Sequence, residues 1–210
     1  MTGEVVFNTS MTGYQEALTD PSYAGQIITY TYPMVGNYGV AKAFMESDRP
    51  HARAVVMREI APAGSPDVQG EWEAWLEQQG IPGITGVNTR SLVRHIRDKG
   101  AMRGGIFDGE LSGSEARERV AAEPSMKGAD FAKVVTPSEP LTFGDGTAAH
   151  VVAIDTGIKR SIVDNLVSRG VKLELYPCDT PAATLLERNP DFYFLANGPG
   201  DPAALDYVVA

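Results

Sequence analysis

Reactive and soft side chains are scarce in this chain: one cysteine, Cys178, two tryptophans and three histidines among 210 residues. A single cysteine excludes an internal disulfide framework and fits a reducing compartment, so a cytoplasmic location is expected. The histidines, His51, His95 and His150, are scattered and not spaced with Cys or carboxylates as ligands, so no metal is expected. Basic residues are outnumbered, 18 against 27 acidic ones, for a formal net charge of −9. With no Lys/Arg run, that balance argues against a nucleic-acid partner. No apolar run approaches a membrane-spanning length, and the opening "MTGEVVFNTS" lacks the basic start and apolar stretch of a secretory signal. No membrane partner is expected either.

What is present is a mixed order of strands and helices. "EVVFN", "QIITYTY" and "RAVVMRE" are β-branched and aromatic runs that read as strands. In "EWEAWLEQQG", Trp72, Trp75 and Leu76 share one side of a helix that stops at Gly80. "NTRSLVRHIRDKG" is a second helix, with Asn88 as N-cap, Leu92, Val93 and Ile96 at helical spacing and Gly100 at its end. "MRGGIF" reads as a returning strand and "SGSEARERVAAEP" as a short helix, which suits an α+β domain over residues 1 to 135. Residues 136 to 149, "TPSEPLTFGDGTAA", have the composition of a linker.

Beyond the linker the pattern becomes strand, helix, strand, helix, strand. "HVVAID" and "DFYFLA" read as buried strands, "GIKRSIVDNLVSRG" as a helix, and "VKLELYP" as an alternating strand. "TPAATLLERNP" predicts a helix with Thr180 as N-cap and Pro181 at its first position. This α/β order opens a doubly wound parallel sheet, whose ligands sit at the carboxyl ends of its strands. Asp201 and Pro202 then begin another helix, and the domain reads as cut short at Ala210.

Four features invite chemistry. Gly198-Pro199-Gly200 follows a strand and is either a plain tight turn or a loop whose main-chain N–H groups meet an oxyanion or carboxylate. Cys178, in "YPCDTPA", has no nearby His and no Gly-rich elbow, and reads as a small buried side chain rather than a nucleophile. Arg90, Arg94 and Arg97 lie near one helix face with Arg103 at its exit, either a solvated face or a site for an anion or acidic partner. "DTGIKRS" sits where phosphate loops occur, but lacks the glycines and lysine of a nucleotide loop.

"GEVVFNTSMTGYQEALTDPSYAGQIITYTYPMVGNYG", residues 3 to 39, strongly resembles the amino-terminal domain of the small, glutamine-hydrolysing subunit of carbamoyl-phosphate synthase. "NTRSLVRHIRDKGAMRGGI" resembles that domain's second signature, with Asn88 where the family usually has Asp. "VVAIDTGIKRSIVDNL" and "FLANGPGDP" resemble the start of its class I glutamine amidotransferase domain, a flavodoxin-like fold expected over 150 to 210.

The resemblance implies a glutaminase. Such a subunit hydrolyses L-glutamine to glutamate and ammonia, and passes the ammonia to a large subunit that uses ATP and Mg2+ to make carbamoyl phosphate for pyrimidine and arginine synthesis. It implies glutamine-binding roles for Ser22, Gly198 and Gly200, with the Gly198 amide facing the reacting end of the substrate. The family's nucleophilic cysteine lies in a "GxCxGHQ" type motif beyond the GPGDP loop, with His and Glu later still. Cys178 does not match it. The chain therefore reads as truncated at both ends and is expected to lack glutaminase activity alone. A non-catalytic docking or regulatory protein for the large subunit is the alternative.

Overall fold

The computed structural model describes residues 1–64 and 69–209. It divides into two compact units, Met1–Ser125 and Met126–Ala210.

The first unit contains β1 (Thr2–Asn8), α1 (Tyr14–Thr19), β2 (Gln26–Tyr30), β3 (Met34–Val35), β4 (Ala54–Val56), β5 (Glu59–Ile60), α2 (Trp72–Gln78), β6 (Gly83–Ile84), α3 (Thr89–Lys99), β7 (Met102–Gly105) and α4 (Gly113–Ala122). Its main sheet has the order β6-β4-β2-β1-β7. The first four run parallel, and β7 returns antiparallel beside β1. Central β2 explains the β-branched and aromatic run "IITY": Ile27 faces one cluster with Val5, Ala54, Val56 and Ile96, while Ile28 and Tyr30 face another with Leu18, Val55, Trp72 and Leu76. A strand covered on both faces does not alternate apolar with exposed polar residues. The "RAVVMRE" run is not one strand. It splits after Val56 because β4 pairs with β2 and β6, whereas Glu59–Ile60 leaves to pair with β3.

Local signals act as physical chemistry requires. Asn88 caps α3 by accepting the Ser91 N–H at 3.1 Å, and Ser112 with Glu115 forms a reciprocal capping box on α4. Trp72 and Leu76, one turn apart on α2, are buried in the same cluster.

His51 gives this unit an acid sensitivity. Burial, helped by Arg49, lowers its pKa from 6.5 to about 4. The unfolded chain therefore takes the proton first, so stability is full above pH 6.5 and declines as pH falls toward 4. Because the ring retains some solvent contact, a loss of only about 1–2 kcal/mol is expected across that window. Urea melts of wild type and His51→Gln check this: their stabilities should diverge with pH between those limits and run parallel above pH 7.

The second unit contains α5 (Ala132–Val135), β8 (Leu141–Phe143), β9 (Ala149–Asp155), α6 (Arg160–Val167), β10 (Val171–Pro177), α7 (Ala182–Leu186), β11 (Phe192–Leu195) and α8 (Asp206–Val209). The sheet order is β11-β9-β10-β8, with β11, β9 and β10 parallel and β8 antiparallel. The chain passes from β9 to β10 on one side, then crosses to place β11 on the other. That reversal is the topological switch point of a flavodoxin-like sheet, and it opens a crevice at the carboxyl ends of β9 and β11. One face packs Val151, Ala153, Leu173 and Leu175 under Ile158 and Val163, and the opposite face packs Val152 and Tyr176 with Leu185.

Three expectations need correction here. Residues 136–149 do not form a free linker, because Leu141–Phe143 pairs with β10. A Cβ on Gly146 would lie 2.0 Å from the Gly170 carbonyl oxygen, so the glycines reflect close packing. α7 starts one step later than expected, with Pro181 as N-cap and no side-chain capping bond from Thr180. β11 is not buried: Phe192, Tyr193 and Leu195 are 64%, 53% and 61% exposed. Its sequence is that of a central strand, but among the described residues it is an edge strand of its sheet.

Candidate functional site

The Gly198-Pro199-Gly200 loop leaves β11 at the switch point and is shaped from two sides. On the first side, Asp155 ends β9 and its carboxylate accepts the N–H groups of Gly157 and Ile158 at 2.7 and 2.8 Å, tying down the turn into α6. Burial raises the Asp155 pKa against the lowering effect of those two bonds. The next residue, Thr156, donates its hydroxyl to the carbonyl oxygens of Ala196 at 2.7 Å and Asn197 at 3.2 Å. Gly198 then passes so close that a Cβ on it would lie 1.9 Å from the Thr156 oxygen. Only glycine fits. Among the described residues, the Gly198 N–H has no hydrogen-bond acceptor.

On the second side, Gly200 has φ of +87° and its Cβ position lies 2.5 Å from the Ala129 carbonyl oxygen. Asp201 secures this approach, donating its N–H to Ala129 at 3.0 Å and accepting the Gly128 N–H at 2.8 Å. It also accepts the Ala203 N–H, the N-cap role foreseen for it. A main-chain N–H held by a fixed loop at the carboxyl end of a strand can receive a carbonyl oxygen or oxyanion, with little reorganisation.

The other residues singled out by sequence lie elsewhere. Ser22 belongs to the first unit, in a short 3-10 turn, Pro21–Tyr23, capped by the Asp20 carboxylate, which accepts the Ser22 N–H at 2.8 Å. Cys178 is buried just after β10. Its N–H donates to Thr136 Oγ1 and its Sγ lies 3.7 Å from the Tyr207 hydroxyl. Tyr207 in turn donates to both carboxylate oxygens of Asp130, at 3.1 and 3.0 Å. Burial first, then these two neighbours, push its pKa upward. Arg90, Arg94 and Arg97 are exposed on α3. Arg103 separates from them, donating to the Ala121 and Glu123 carbonyls at the end of α4, a helix C-terminal brace.

Comparison with known proteins adds the family. Residues 1–106 match the family described as carbamoyl-phosphate synthase small chain, CPSase domain, and residues 152–210 match glutamine amidotransferase class-I. The carbamoyl phosphate synthase small chain of Parasynechococcus marenigrum is 46% identical over 97% of this chain and 57% of its own length. Those of Syntrophotalea carbinolica and Yersinia pseudotuberculosis are 44% and 45% identical over 99% of this chain, and over 59% and 58% of their own lengths.

This chain belongs to the carbamoyl-phosphate synthase small chain family. It spans 57 to 59% of the length of these three small chains. Ser22 falls within the small-chain match, and Gly198 and Gly200 within the amidotransferase match. Asp130, which no motif marks, lies in the stretch that neither match covers. Thr156 carries no signal of its own: "DTGIKRS" lacks the residues of a nucleotide loop, and its place in the amidotransferase resemblance gives Thr156 no role. Among the described residues no helix is long and apolar enough to cross a membrane, and no three of His, Cys, Asp and Glu are grouped as a metal site requires.

Proposed function

We propose that this chain is part of the glutaminase subunit of a glutamine-dependent carbamoyl-phosphate synthase, a cytoplasmic ligase acting in pyrimidine and arginine synthesis. Its substrate is L-glutamine. Its partner is a large subunit that consumes the ammonia with ATP and Mg2+, and neither nucleic acid nor membrane takes part. The observation that carries this reading is the Gly198 amide: it stands at the carboxyl ends of β9 and β11, without an acceptor among the described residues, on a residue where no side chain fits.

In this mechanism Ser22 takes the amino-acid end of glutamine, while Gly200 brings the loop backbone against the side chain. The Gly198 N–H meets the carboxamide oxygen. As a thiolate adds to the carboxamide carbon, the carbon–oxygen double bond becomes a single bond and the oxygen gains charge. A fixed donor there is worth more in the transition state than in the bound substrate. The carbon–nitrogen bond then breaks, the nitrogen leaves as ammonia after protonation, and water releases glutamate from the thioester.

Cys178 is not assigned the thiolate. It is 1% exposed, and among the described residues its thiol contact is the Tyr207 hydroxyl rather than a His that could activate it. A polypeptide of these 210 residues alone should therefore release no ammonia.

The test uses the protein expressed from its full coding sequence. Glutamate and ammonia should appear in equal amounts from L-glutamine, and failure to form either would remove the proposal. Ser22→Ala should raise KM for glutamine about tenfold while leaving kcat within about twofold, as loss of one substrate hydrogen bond made in both ground and transition states requires. Steady-state kinetics separates the two constants.

A further inference from the structure

The stretch between the two family matches carries polar groups that the proposed mechanism does not use. Ala129, Asp130 and Phe131 run antiparallel to the glycine loop, with Asp130 bridged to Gly200. A Cβ at Gly200 would also meet the Phe131 nitrogen at 3.1 Å, so this backbone forms the wall behind the loop. The Asp130 carboxylate meets Tyr207, whose hydroxyl donates to both of its oxygens. Lys133 closes the group, with Nζ 3.8 Å from Asp130 and 4.3 Å from the centre of the Tyr207 ring. Cys178 Sγ lies 3.7 Å from the same hydroxyl.

We propose that Asp130 is a positioning residue for the loop: anchored by Tyr207, it holds the Ala129–Phe131 backbone in place and so fixes where the Gly200 backbone meets substrate. This rests on reading the loop as the glutamine site. A carboxylate bonded through both oxygens by one partly buried hydroxyl sets both the height and the tilt of its own backbone. Gly200, where even a Cβ would lie 2.5 Å from the Ala129 carbonyl oxygen, packs too closely on that wall to shift independently of it. The stretch that neither family match covers thus becomes working structure of the substrate site. Loss of the anchor misplaces a binding group without removing it, which weakens substrate binding more than it slows chemistry.

The test again uses the protein from its full coding sequence. Asp130→Ala should raise KM for glutamine about tenfold, and Tyr207→Phe about threefold, with kcat within about twofold in both. The double variant should be no worse than Asp130→Ala, because both changes break one contact. Asp130→Asn, which still offers Tyr207 a carbonyl oxygen, should bring KM back to within about threefold of wild type. Hydrogen exchange supplies a readout independent of glutaminase activity. The Asp201 amide, bonded to Ala129, should exchange faster in Asp130→Ala while β9 amides stay unchanged. Unaltered KM and unaltered Asp201 exchange in folded variants would overturn the assignment. If wild type hydrolyses no glutamine, the functional reading fails and the exchange experiment still decides whether Asp130 holds the loop.

Discussion

Gly198→Ala should abolish at least about 99% of glutamine hydrolysis by the full-length protein, the loss typical of removing or misplacing one oxyanion donor. The added methyl would sit 1.9 Å from the Thr156 carbonyl oxygen and 2.7 Å from its carbon. Neither atom belongs to a flexible side chain. Thr156 directly follows central β9, and its hydroxyl is committed to Ala196 and Asn197. The loop must therefore move, and its amide moves with it. Overpacking against fixed backbone should also cost about 3 kcal/mol of stability. Gly109→Ala supplies the control, since a Cβ there meets nothing within 4 Å. It should change stability by less than about 0.5 kcal/mol and leave kinetics alone. Equal kinetics for Gly198→Ala and wild type would show that the amide is not used.

Trp72→Ala should have the largest effect on stability, a loss of about 4 kcal/mol, as expected for emptying a fully buried aromatic site. Trp72 is 0% exposed. Its ring meets Tyr14 edge-on at 4.9 Å, Tyr30 at 6.5 Å, and stacks on Trp75 at 5.4 Å. Its indole N–H points to Met57 Sδ at 3.2 Å. The neighbours cannot collapse inward, because Tyr14 and Tyr30 are held by hydroxyl bonds to the carbonyls of Gly39 and Tyr14, each at 2.6 Å. Trp72→Phe, which keeps most of the apolar volume, should lose less than half as much. Urea unfolding followed by circular dichroism measures both, and equal midpoints for wild type and Trp72→Ala would contradict the packing account.

The parts of the molecule legible in the sequence are those governed by neighbours along the chain. Asn88 and Asp201 cap their helices because a cap is a local bond. Trp72 and Leu76 share a core face because a helical turn places them together. The glycine loop was recognisable by following a strand. What stayed hidden depends on partners distant in sequence. Glu174 sits at a polar position of an alternating strand, which suggests solvent. It is instead buried, held by two bonds from Arg188 at 2.7 and 2.9 Å, with Lys172 at 2.9 Å and Tyr176 at 3.2 Å. Arg188 first, then Lys172, hold its carboxyl well below the usual range against the opposing effect of burial. Asp130 likewise carries no periodic or motif signal, since its partners are Tyr207 and the backbone beside Gly200. Composition misled at residues 136–149, where glycines that look like linker permit close packing against Gly170.

The most direct test of the central claim is a crystal structure of the full-length protein with L-glutamine bound and its nucleophile replaced. The account predicts the glutamine carboxamide oxygen within about 2.7–3.1 Å of the Gly198 nitrogen, the distance at which a donor stabilises the developing oxyanion. Glutamine bound with that oxygen turned away from Gly198, and the amide left without it, would contradict the account.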